Sequence, residues 1–289
     1  MSSPETGPRP RPKKSLGQNF LTDKNITEKI AEEVRGCGGD ALLEIGSGQG
    51  ALTGYLAEMG KPLFCVEADR DMTDILEKRF SGRAGVTVIC ADFLKWDMSV
   101  LEGRRVVCAG NLPYYITTPI IKTLLEGKRY FTDCIIMVQK EVADRLTAPC
   151  GSREAGAFTL FCRYHAEISR VCKAGRGCFY PVPKVDSCVL HLKLRSVPPV
   201  DVPDEELFFN IIRAAFGKRR KTLSNNLKDS VFLWWSAEKV RRVLSLAGID
   251  GSRRGETLSL EEFAMLCRAA HAVGLPGAED RFSGGIALI

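Results

Sequence analysis

Predominantly apolar segments alternate with helix-like segments along the first half of this chain, and this alternation constrains its fold more than any other feature. Five apolar runs of five residues each lie at 41–45, 62–66, 86–90, 105–109 and 134–138. Helix-like segments lie between them at 51–59, 71–80 and 118–126. Because the runs are apolar on both faces, they indicate strands of a parallel sheet that helices cover. The pattern predicts a doubly wound α/β fold.

The rest of the chain predicts a second, smaller and all-helical domain. A short helix at 25–34 precedes the sheet, and two further strands are expected near 167–173 and 187–194. Residues 196–203 include three prolines among eight residues, which is typical of a linker. Beyond the linker, apolar residues recur at helical spacing, at Leu207, Ile211, Ala214 and Ala215 and at Val240, Val243, Leu244 and Ala247.

These patterns divide the chain into five segments. The α/β domain is predicted at 15–195, the linker at 196–203 and the helical domain at 204–272. The segment 1–14 holds four prolines and four basic residues and is expected to be a disordered basic arm. Residues 273–289 are rich in small residues and are expected to form a flexible tail.

Composition excludes several classes of protein. Hydrophobic residues make up 45% and charged residues 26% of the 289 residues, which suits a folded core and argues against a disordered chain. The apolar runs are far shorter than the roughly 20 residues of a membrane helix, so no membrane association is expected. A net charge of +6 permits a polyanionic partner without requiring one.

The cysteines and histidines predict neither a disulfide framework nor a metal site. The chain has 11 cysteines, an odd number, and none of them forms a C-x-x-C pair. The histidines are scattered, so we expect structural or surface roles for them and no bound metal. Reduced thiols suit the cytoplasm. Five cysteines lie within apolar runs and are expected to be buried: Cys65, Cys90, Cys108, Cys134 and Cys188.

A glycine-rich loop with the sequence EIGSGQG lies at 44–50, between the first strand and a helix. Glycine lets the backbone approach a nucleoside ligand at the carboxyl edge of the sheet. Gly46, Gly48 and Ala51 also match the dinucleotide pattern G-x-G-x-x-G/A, which leaves a nicotinamide dinucleotide as an alternative ligand. The tighter G-x-G-x-G pattern with an acid two residues before it is more typical of S-adenosylmethionine (SAM) sites.

Acidic residues end the next two strands. Glu67 lies 17 residues after Gly50, at a position where a carboxylate accepts hydrogen bonds from both ribose hydroxyls. Asp92 ends the third strand and is expected to accept a hydrogen bond from an adenine amino group, while Phe93 packs nearby. One acid at a strand end is more often a cap or a solvated turn. Two such acids beside a glycine loop favour ligand binding.

The fourth strand ends in the most informative segment, Asn111-Leu112-Pro113-Tyr114. The side-chain oxygen of Asn111 and the carbonyl of Leu112 can accept both hydrogens of an exocyclic amine, which frees the nitrogen lone pair. Pro113 fixes the φ angle of the turn, and Tyr114 can stack on a flipped base. Attack on a sulfonium methyl needs orientation and charge stabilisation, with no histidine or lysine base.

The order of these motifs resembles that of the KsgA-type ribosomal RNA adenine dimethyltransferases, over about residues 13–270. The segments that carry the resemblance are SLGQNFL at 15–21, EIGSGQG at 44–50, NLPYYITTPI at 111–120, QKEVADRL at 139–146, FYPVPKVDS at 179–187, FGKRRKTLSNNL at 216–227 and RRGETLSLEEF at 253–263. The resemblance implies a Rossmann-like SAM-dependent methyltransferase sheet with a helical RNA-binding domain. One departure is Ala155-Gly156, where the family often has Tyr-Gly.

The resemblance also implies residue roles and a substrate. Tyr114 and Phe179 are the implied faces of the target-adenine pocket. The implied reaction adds two methyl groups to N6 of each of two adjacent adenosines in the 3′-terminal hairpin of 16S rRNA. The partner would be that rRNA within a pre-30S or 30S particle, and the protein is expected to act as a monomer. The positions expected to bind SAM are Asn19, Leu21, Gly46, Gly48, Glu67, Asp92, Phe93 and Asn111.

A basic run lies in the FGKRRKTLSNNL segment, which is expected to be helical. In most proteins such a run is a solvated helix end. Here a polyanion must be held near the pocket, so phosphate contacts are the favoured role. The run consists of Lys218, Arg219, Arg220 and Lys221, and Arg213 nearby is expected to share this role.

Three alternatives to the small-subunit enzyme stay open. A resistance-type methyltransferase acting on large-subunit rRNA shares the glycine loop and an Asn-x-Pro-Tyr-like motif. A non-catalytic assembly factor could keep the fold, although intact Asn111, Pro113 and Tyr114 argue against lost catalysis. An NAD-dependent oxidoreductase would need a catalytic His, Tyr–Lys pair or Cys at the strand edge, and none is evident there.

Overall fold

The computed structural model describes residues 12–13 and 16–274. The basic arm predicted at 1–14 and the tail predicted at 273–289 lie almost entirely outside the described residues.

Within that range the secondary structure follows the predicted alternation. The described strands are β1 (Phe20–Leu21), β2 (Ala41–Ile45), β3 (Leu63–Glu67), β4 (Val86–Cys90), β5 (Val106–Asn111), β6 (Phe131–Gln139), β7 (Ala166–Ala174), β8 (Phe179–Tyr180) and β9 (Ser187–Leu194). The described α-helices are α1 (Lys24–Arg35), α2 (Ala51–Ala57), α3 (Arg70–Arg79), α4 (Thr117–Glu126), α5 (Lys140–Thr147), α6 (Ala157–His165), α7 (Glu205–Ala215), α8 (Leu223–Lys228), α9 (Ala237–Ala247) and α10 (Leu260–Ala272).

Seven strands form one mixed sheet in the order β4-β3-β2-β5-β6-β9-β7. The first five are parallel, as predicted, but β9 runs antiparallel to both β6 and β7. Parallel neighbours need a long crossover, usually through a helix. Segment 175–186 joins β7 to β9 without an α-helix, so the chain turns back on itself there. The predicted α/β class is confirmed, with this antiparallel edge as a correction.

The chain winds outward from β2 in both directions, which creates a switch point between β2 and β5. It runs from β2 to β3 and β4 on one side, then crosses to β5 and β6 on the other. Ile45 pairs with Gly110 at the end of this ladder, and a Cβ on Gly110 would lie 2.5 Å from the backbone oxygen of Ile45. Only glycine permits this approach. Doubly wound sheets bind ligands in the crevice at such a point.

The described residues pack as two compact units. The first comprises the described chain up to Asp144 together with Ala166–Arg195, and the second comprises Arg145–His165 and the described chain from Ser196 onward. The sequence predicted that 145–165 belongs with the sheet. It groups with the helices because α6 is apolar on the face that meets α7. The Tyr164 ring packs against that of Phe208 at a centroid distance of 5.3 Å, and the Tyr164 hydroxyl donates to Glu205 at 2.9 Å.

The second unit has the helical core that the spacing of apolar residues predicts. Both predicted faces are buried there: Leu207, Ile211, Ala214 and Ala215 of α7, and Val240, Val243, Leu244 and Ala247 of α9. None of the described helices has the length and apolar content needed to cross a membrane.

Whether each of these cysteines is buried depends on the position of its strand in the sheet. Cys65, Cys108, Cys134 and Cys188 are buried, as predicted. The prediction for Cys90 is wrong, because β4 is the edge strand of the sheet and its last residue is exposed.

Candidate active site

A cavity of about 920 Å³ opens in the first unit where the parallel strands end. The loops after β2, β3, β4 and β5 line it, together with the segment that contains β1. The predicted site residues that line it are Asn19, Leu21, Gly46, Gly48, Glu67, Asp92, Phe93, Asn111, Leu112, Pro113 and Tyr114. The fold thus gathers at one cavity every residue expected to bind the cofactor and all but one of those expected to act on the target base.

The glycine loop is shaped by backbone conformation as well as by space. Gly46 and Gly48 have φ angles of 70° and 53°, in the left-handed region that other residues rarely adopt. A Cβ on Gly48 would also lie 3.1 Å from the ring of Phe20. The sequence pattern predicts glycine here because a ligand approaches the backbone closely. The structure adds that the loop needs glycine before any ligand enters.

Glu67 connects two of the loops. Its buried carboxylate accepts hydrogen bonds from the backbone N–H of Gly48 at 2.8 Å and of Asp69 at 2.9 Å. Burial raises the pKa of Glu67 even though these bonds oppose the rise. Each carboxylate oxygen has a second lone pair, so Glu67 has further acceptor capacity at the cavity that it lines.

Asn111, the last residue of β5, is oriented by the N-terminal segment. Its Nδ2 donates to the backbone oxygen of Asn19 at 2.8 Å. A carbonyl oxygen only accepts hydrogen bonds, so the amide nitrogen must face Asn19 and Oδ1 is left as an acceptor at the cavity. The turn that follows is anchored as well, since the N–H of Leu112 donates to Met137 of β6 at 3.1 Å.

Tyr114 is anchored at the end of its ring. Its hydroxyl and the Oγ of Ser187, the first residue of β9, lie 2.8 Å apart. Burial raises the pKa of Tyr114, so the phenol stays neutral at physiological pH. Pro113 precedes it with a φ of −59°, and the hydroxyl of Thr117 donates to the Pro113 carbonyl at 3.0 Å. These contacts hold the aromatic ring at the cavity wall.

Asp92 and Phe93 follow β4 as predicted, and they differ in exposure. The Asp92 side chain is half exposed, and its Oδ1 accepts from the N–H of Leu94 at 3.1 Å. Phe93 is buried, with its ring 6.5 Å from that of Trp96. Asp92 thus presents a solvated carboxylate at the cavity, and Phe93 supplies an apolar wall.

Among the residues predicted to bind the cofactor or the target base, Phe179 is the one that does not line the cavity. Its side chain is buried in the core of the first unit, and its backbone pairs with Leu21 in the short β1–β8 ladder. Its neighbour Tyr180 is exposed and lines the cavity. A role for Phe179 as a pocket face stays a prediction, and within the described chain the aromatic residue of this segment at the cavity is Tyr180.

The basic run lies in the second unit on a loop between α7 and α8, so the expectation that it is helical is wrong. Buried Asn226 holds the loop: its Nδ2 donates to Ala215 at 2.8 Å and to Lys218 at 3.1 Å, and its Oδ1 accepts from the N–H of Lys218 at 3.2 Å. Thr222 then caps α8 by accepting from Asn225. In this loop, hydrogen bonds between side chains and the backbone replace the backbone hydrogen bonds of a helix.

The basic side chains differ in what they contact. Lys218, Arg219 and Arg220 are exposed. Arg219 donates to the backbone oxygen of Arg153 at 3.1 Å, and Lys221 pairs with Asp229 at 2.7 Å. Arg213, in the last turn of α7, donates to Asn210 at 2.6 Å and lies over the ring of Phe232 at 5.1 Å.

The chain is similar to known proteins over most of its length. The family model described as "Ribosomal RNA adenine dimethylase" matches residues 10–265. The chain is 43% identical over 268 residues to "Ribosomal RNA small subunit methyltransferase A" of Geobacter sulfurreducens, covering 91% of this chain and 97% of that one. It is also 43% identical to the protein of the same name from Clostridioides difficile, over 88% of this chain and 89% of that one. The chain belongs to the ribosomal RNA adenine dimethylase family.

Solved structures show the same fold for this dimethylase-family chain. A dimethyladenosine transferase from Plasmodium falciparum has a TM-score of 0.74 at 24% identity, over 89% of this chain and 98% of that one. The 23S rRNA methyltransferase ErmE has a TM-score of 0.69 at 26% identity, over 88% of this chain and all of that one. The resemblance found in the sequence motifs is confirmed, and family membership decides against the oxidoreductase alternative.

Two contacts that shape this cavity are not predicted by the sequence patterns. The first is the Asn19 backbone oxygen that orients Asn111. The second is a cluster in which Lys13 pairs with Asp69 and Asp71 at 2.6 and 2.7 Å, while Gln18 donates to Asp69 at 2.8 Å. It ties the segment before β1 to the start of α3. Asp69 follows Glu67 by two residues, and that proximity is the one signal in the sequence that could have drawn attention to it.

Glu44, the acid of the EIGSGQG motif, is a buried titratable group beneath the glycine loop. Its Oε2 accepts from the Thr53 hydroxyl at 2.5 Å and from the Cys65 thiol at 3.8 Å. Burial raises the pKa of Glu44 to about 7, against hydrogen bonds that lower it. A carboxyl group whose pKa is higher in the folded than in the unfolded protein makes folding more favourable at low pH, where the group is protonated, than at high pH, where it is ionised. This contribution is lost as pH rises through the folded pKa.

Glu44→Gln should therefore change how stability depends on pH. The wild type should lose stability, on the order of 1–3 kcal/mol, as pH rises from about 4.5, the ordinary pKa of the group, to about 7, its pKa in the folded protein, because Glu44 ionises in a dry site. The glutamine variant is neutral throughout and should lack this loss, so its melting temperature relative to wild type should rise with pH. Thermal denaturation of both proteins across that range measures the difference. The exposed Glu102→Gln variant is the control, and parallel curves for wild type and Glu44→Gln would contradict the assignment.

Proposed function

We propose that this protein transfers methyl groups from SAM to N6 of two adjacent adenosines in the 3′-terminal hairpin of small-subunit rRNA. The observation that carries the proposal is the Asn111 amide, whose nitrogen is held by the Asn19 carbonyl so that its oxygen is available at the cavity. Membership in the adenine dimethylase family supports the reaction. The relatives at 43% identity, whose names specify the small subunit, support the choice of substrate.

The residues at the cavity fit SAM. Glu67 has acceptor capacity for ribose hydroxyls, and Asp92 is a half-exposed acceptor suited to an adenine amino group. Buried Phe93 offers an apolar wall, and Gly46 and Gly48 leave the loop backbone without a side chain at those two positions. Asn19 and Leu21 line the same cavity. When bound, SAM supplies an electrophilic sulfonium methyl group.

The chain's own contribution to the chemistry is orientation and acceptance of hydrogen bonds. Asn111 Oδ1 and the carbonyl oxygen of Leu112 accept the two hydrogens of the target amine, which favours a pyramidal nitrogen with a localised lone pair. Tyr114, fixed through Ser187, stacks on the base and stabilises the positive charge that develops during transfer. The proton leaves after transfer, so no strong base is required at the site.

The basic loop would hold the RNA. Exposed Lys218, Arg219 and Arg220 lie on a loop whose backbone is fixed by buried Asn226, which lowers the entropy cost of placing them on phosphates. Binding to a polyanion is consistent with the net charge of +6. The substrate would be 16S rRNA within a pre-30S or 30S particle, which places the reaction in the cytoplasm and in small-subunit biogenesis.

A competition assay tests the choice of substrate. Equal amounts of undermethylated small subunits and of unmodified large-subunit rRNA are incubated together with labelled SAM and the protein. We expect the label in the small-subunit RNA and none with the Asn111→Ala variant. Label in the large-subunit RNA instead would indicate an activity like that named for ErmE.

Glu67→Ala should weaken SAM binding by about 10- to 100-fold, because a charged acceptor contributes on the order of 1.5–3 kcal/mol. Isothermal titration calorimetry measures the effect, with Glu102→Ala, an exposed glutamate of the same unit, as the control. Circular dichroism checks that the variant is folded, since Glu67 also holds two backbone N–H groups. Wild-type affinity in Glu67→Ala would remove this residue from the cofactor site.

Asn111→Ala should lower the single-turnover rate at saturating SAM more than it lowers RNA affinity. The reason is that the bond to the target amine strengthens as the nitrogen becomes pyramidal in the transition state. Quenched-flow methyl transfer and filter binding measure the two quantities. In the same assay, Tyr114→Phe should retain more activity than Tyr114→Ala, because stacking survives the loss of the hydroxyl. An unchanged rate in Asn111→Ala would contradict the proposed role.

Replacing Arg219 and Arg220 by Ala should make the dependence of log K on log salt shallower by roughly one to two units, since each phosphate contact releases condensed counterions. Binding to small subunits is measured from low to moderate salt. The matched control is the Arg241/Arg242 double alanine variant, which removes two exposed arginines from α9 of the same unit. SAM affinity should be unchanged in both.

The outcome that would contradict the RNA role is an unchanged salt slope in a well-folded Arg219/Arg220 variant. A lower melting temperature with an unchanged slope would mean that the Arg219 contacts with Arg153 and Glu256 are structural only.

A further inference from the structure

A cluster of metal-ligand side chains lies in the first unit, on residues that the proposed reaction does not use. Cys37 follows the end of α1, Asp133 lies near the start of β6, and His191 lies in β9. Residues 133 and 191 are 58 positions apart, and 37 and 191 are 154 positions apart. The scattered histidines gave no hint of this convergence, because it is created by β6 pairing with β9 and by α1 covering the sheet.

The three side chains converge on a small volume. His191 Nε2 lies 2.8 Å from Asp133 Oδ1 and 3.9 Å from Cys37 Sγ. The three candidate ligand atoms all lie within 4.8 Å of one another. Ligand atoms around a tetrahedral zinc ion, at bond lengths of about 2.0–2.3 Å, are separated by roughly 3–4 Å. A metal ion fits among these atoms with small rotations of the side chains.

The second nitrogen of His191 has the partner that metal-binding histidines need. His191 Nδ1 lies 2.7 Å from Glu33 Oε1. If Nδ1 carries the proton and donates to Glu33, the lone pair of Nε2 faces Asp133 and Cys37. Histidine ligands almost always donate their other N–H to a carboxylate or carbonyl in this way, which fixes tautomer and ring orientation.

The donor set and its burial select a class of cation. Cys37 and Asp133 are buried, and the His191 and Glu33 side chains are 17% and 36% exposed, so an ion could enter from the Glu33 side. A thiolate, a carboxylate and a neutral imidazole together balance a divalent charge. Sulfur and nitrogen donors favour zinc and similar transition metals over Mg²⁺ or Ca²⁺, which prefer oxygen alone.

We propose that Cys37, Asp133 and His191 bind a divalent transition metal of the zinc class, with Glu33 as the residue that positions His191. The metal would join the segment after α1 to β6 and β9. Asp133 lies near the start of β6. Gln139 lies at the other end of β6, at the carboxyl edge of the sheet. The role of the site is therefore structural, and methyl transfer does not pass through it.

Cobalt and zinc titrations of the full-length protein test the proposal. The protein is reduced, stripped with a chelator, and titrated with Co²⁺, whose thiolate charge-transfer absorption reports a Co–S bond. We expect one equivalent to bind with this absorption and Zn²⁺ to displace it. Cys37→Ser should abolish the absorption, whereas Cys172→Ser, a half-buried cysteine of β7 outside the cluster, should retain it.

Two further measurements separate ligation from mere packing. Glu33→Gln should keep the Co–S absorption but weaken Zn²⁺ binding by about 10- to 100-fold. Zinc should raise the melting temperature of the wild type and of Cys172→Ser, but not that of Cys37→Ser, because a ligand stabilises only the fold that binds it. Cys37→Ala serves as a second variant if Cys37→Ser does not fold.

Three results would contradict the proposed metal site. The proposal is overturned if wild-type protein shows no thiolate absorption with Co²⁺, or if Cys37→Ser binds Zn²⁺ as tightly as wild type. It is also overturned if zinc leaves the melting temperature of the wild type unchanged while His191→Gln lowers it. In that case His191 serves only as an ionic bridge between Glu33 and Asp133.

Discussion

The hydrogen bond from the Asn111 amide to the Asn19 carbonyl is the contact on which the proposed chemistry depends. It joins residues 92 positions apart and, because a carbonyl can only accept, it determines which end of the amide is available at the cavity. Asn19 is held in turn by the strand that follows it, since Phe20 pairs with Tyr180. The sheet positions Asn111 and the N-terminal segment orients it, so the site needs both.

Backbone geometry at the switch point explains why the rest of the site assembles there. Glycine at position 110 lets β2 and β5 approach closely, and left-handed glycines turn the chain after β2. Glu67 then connects the loop after β2 to the loop after β3 through two backbone N–H groups. Buried Glu44 and Glu67 both have raised pKa values, which is the electrostatic cost of placing two carboxyl groups in this small, dry region.

Sequence patterns predicted the features that are local and missed those that depend on distant pairing. Apolar runs located the parallel strands, and acids at strand ends located Glu67 and Asp92. Two-residue strands such as β1 carry no periodic signal, so the contact of Asn19 with Asn111 was not foreseen. The sequence predicts a helix at the basic loop because nothing in the sequence distinguishes Asn226 from an ordinary polar residue. In the structure, the Asn226 side chain forms hydrogen bonds that replace those of a helix. The convergence of Cys37, Asp133 and His191 required knowing that β9 pairs with β6.

The most direct test of the account is to identify the product. Undermethylated small subunits are incubated with the protein and SAM, and their rRNA is digested and mapped by mass spectrometry. We expect N6,N6-dimethyladenosine at two adjacent positions of the 3′-terminal hairpin, and no such product when the protein carries Asn111→Ala. Unmodified adenosines at those positions after incubation with folded, SAM-binding wild-type protein would contradict it, as would methylation confined to other sites.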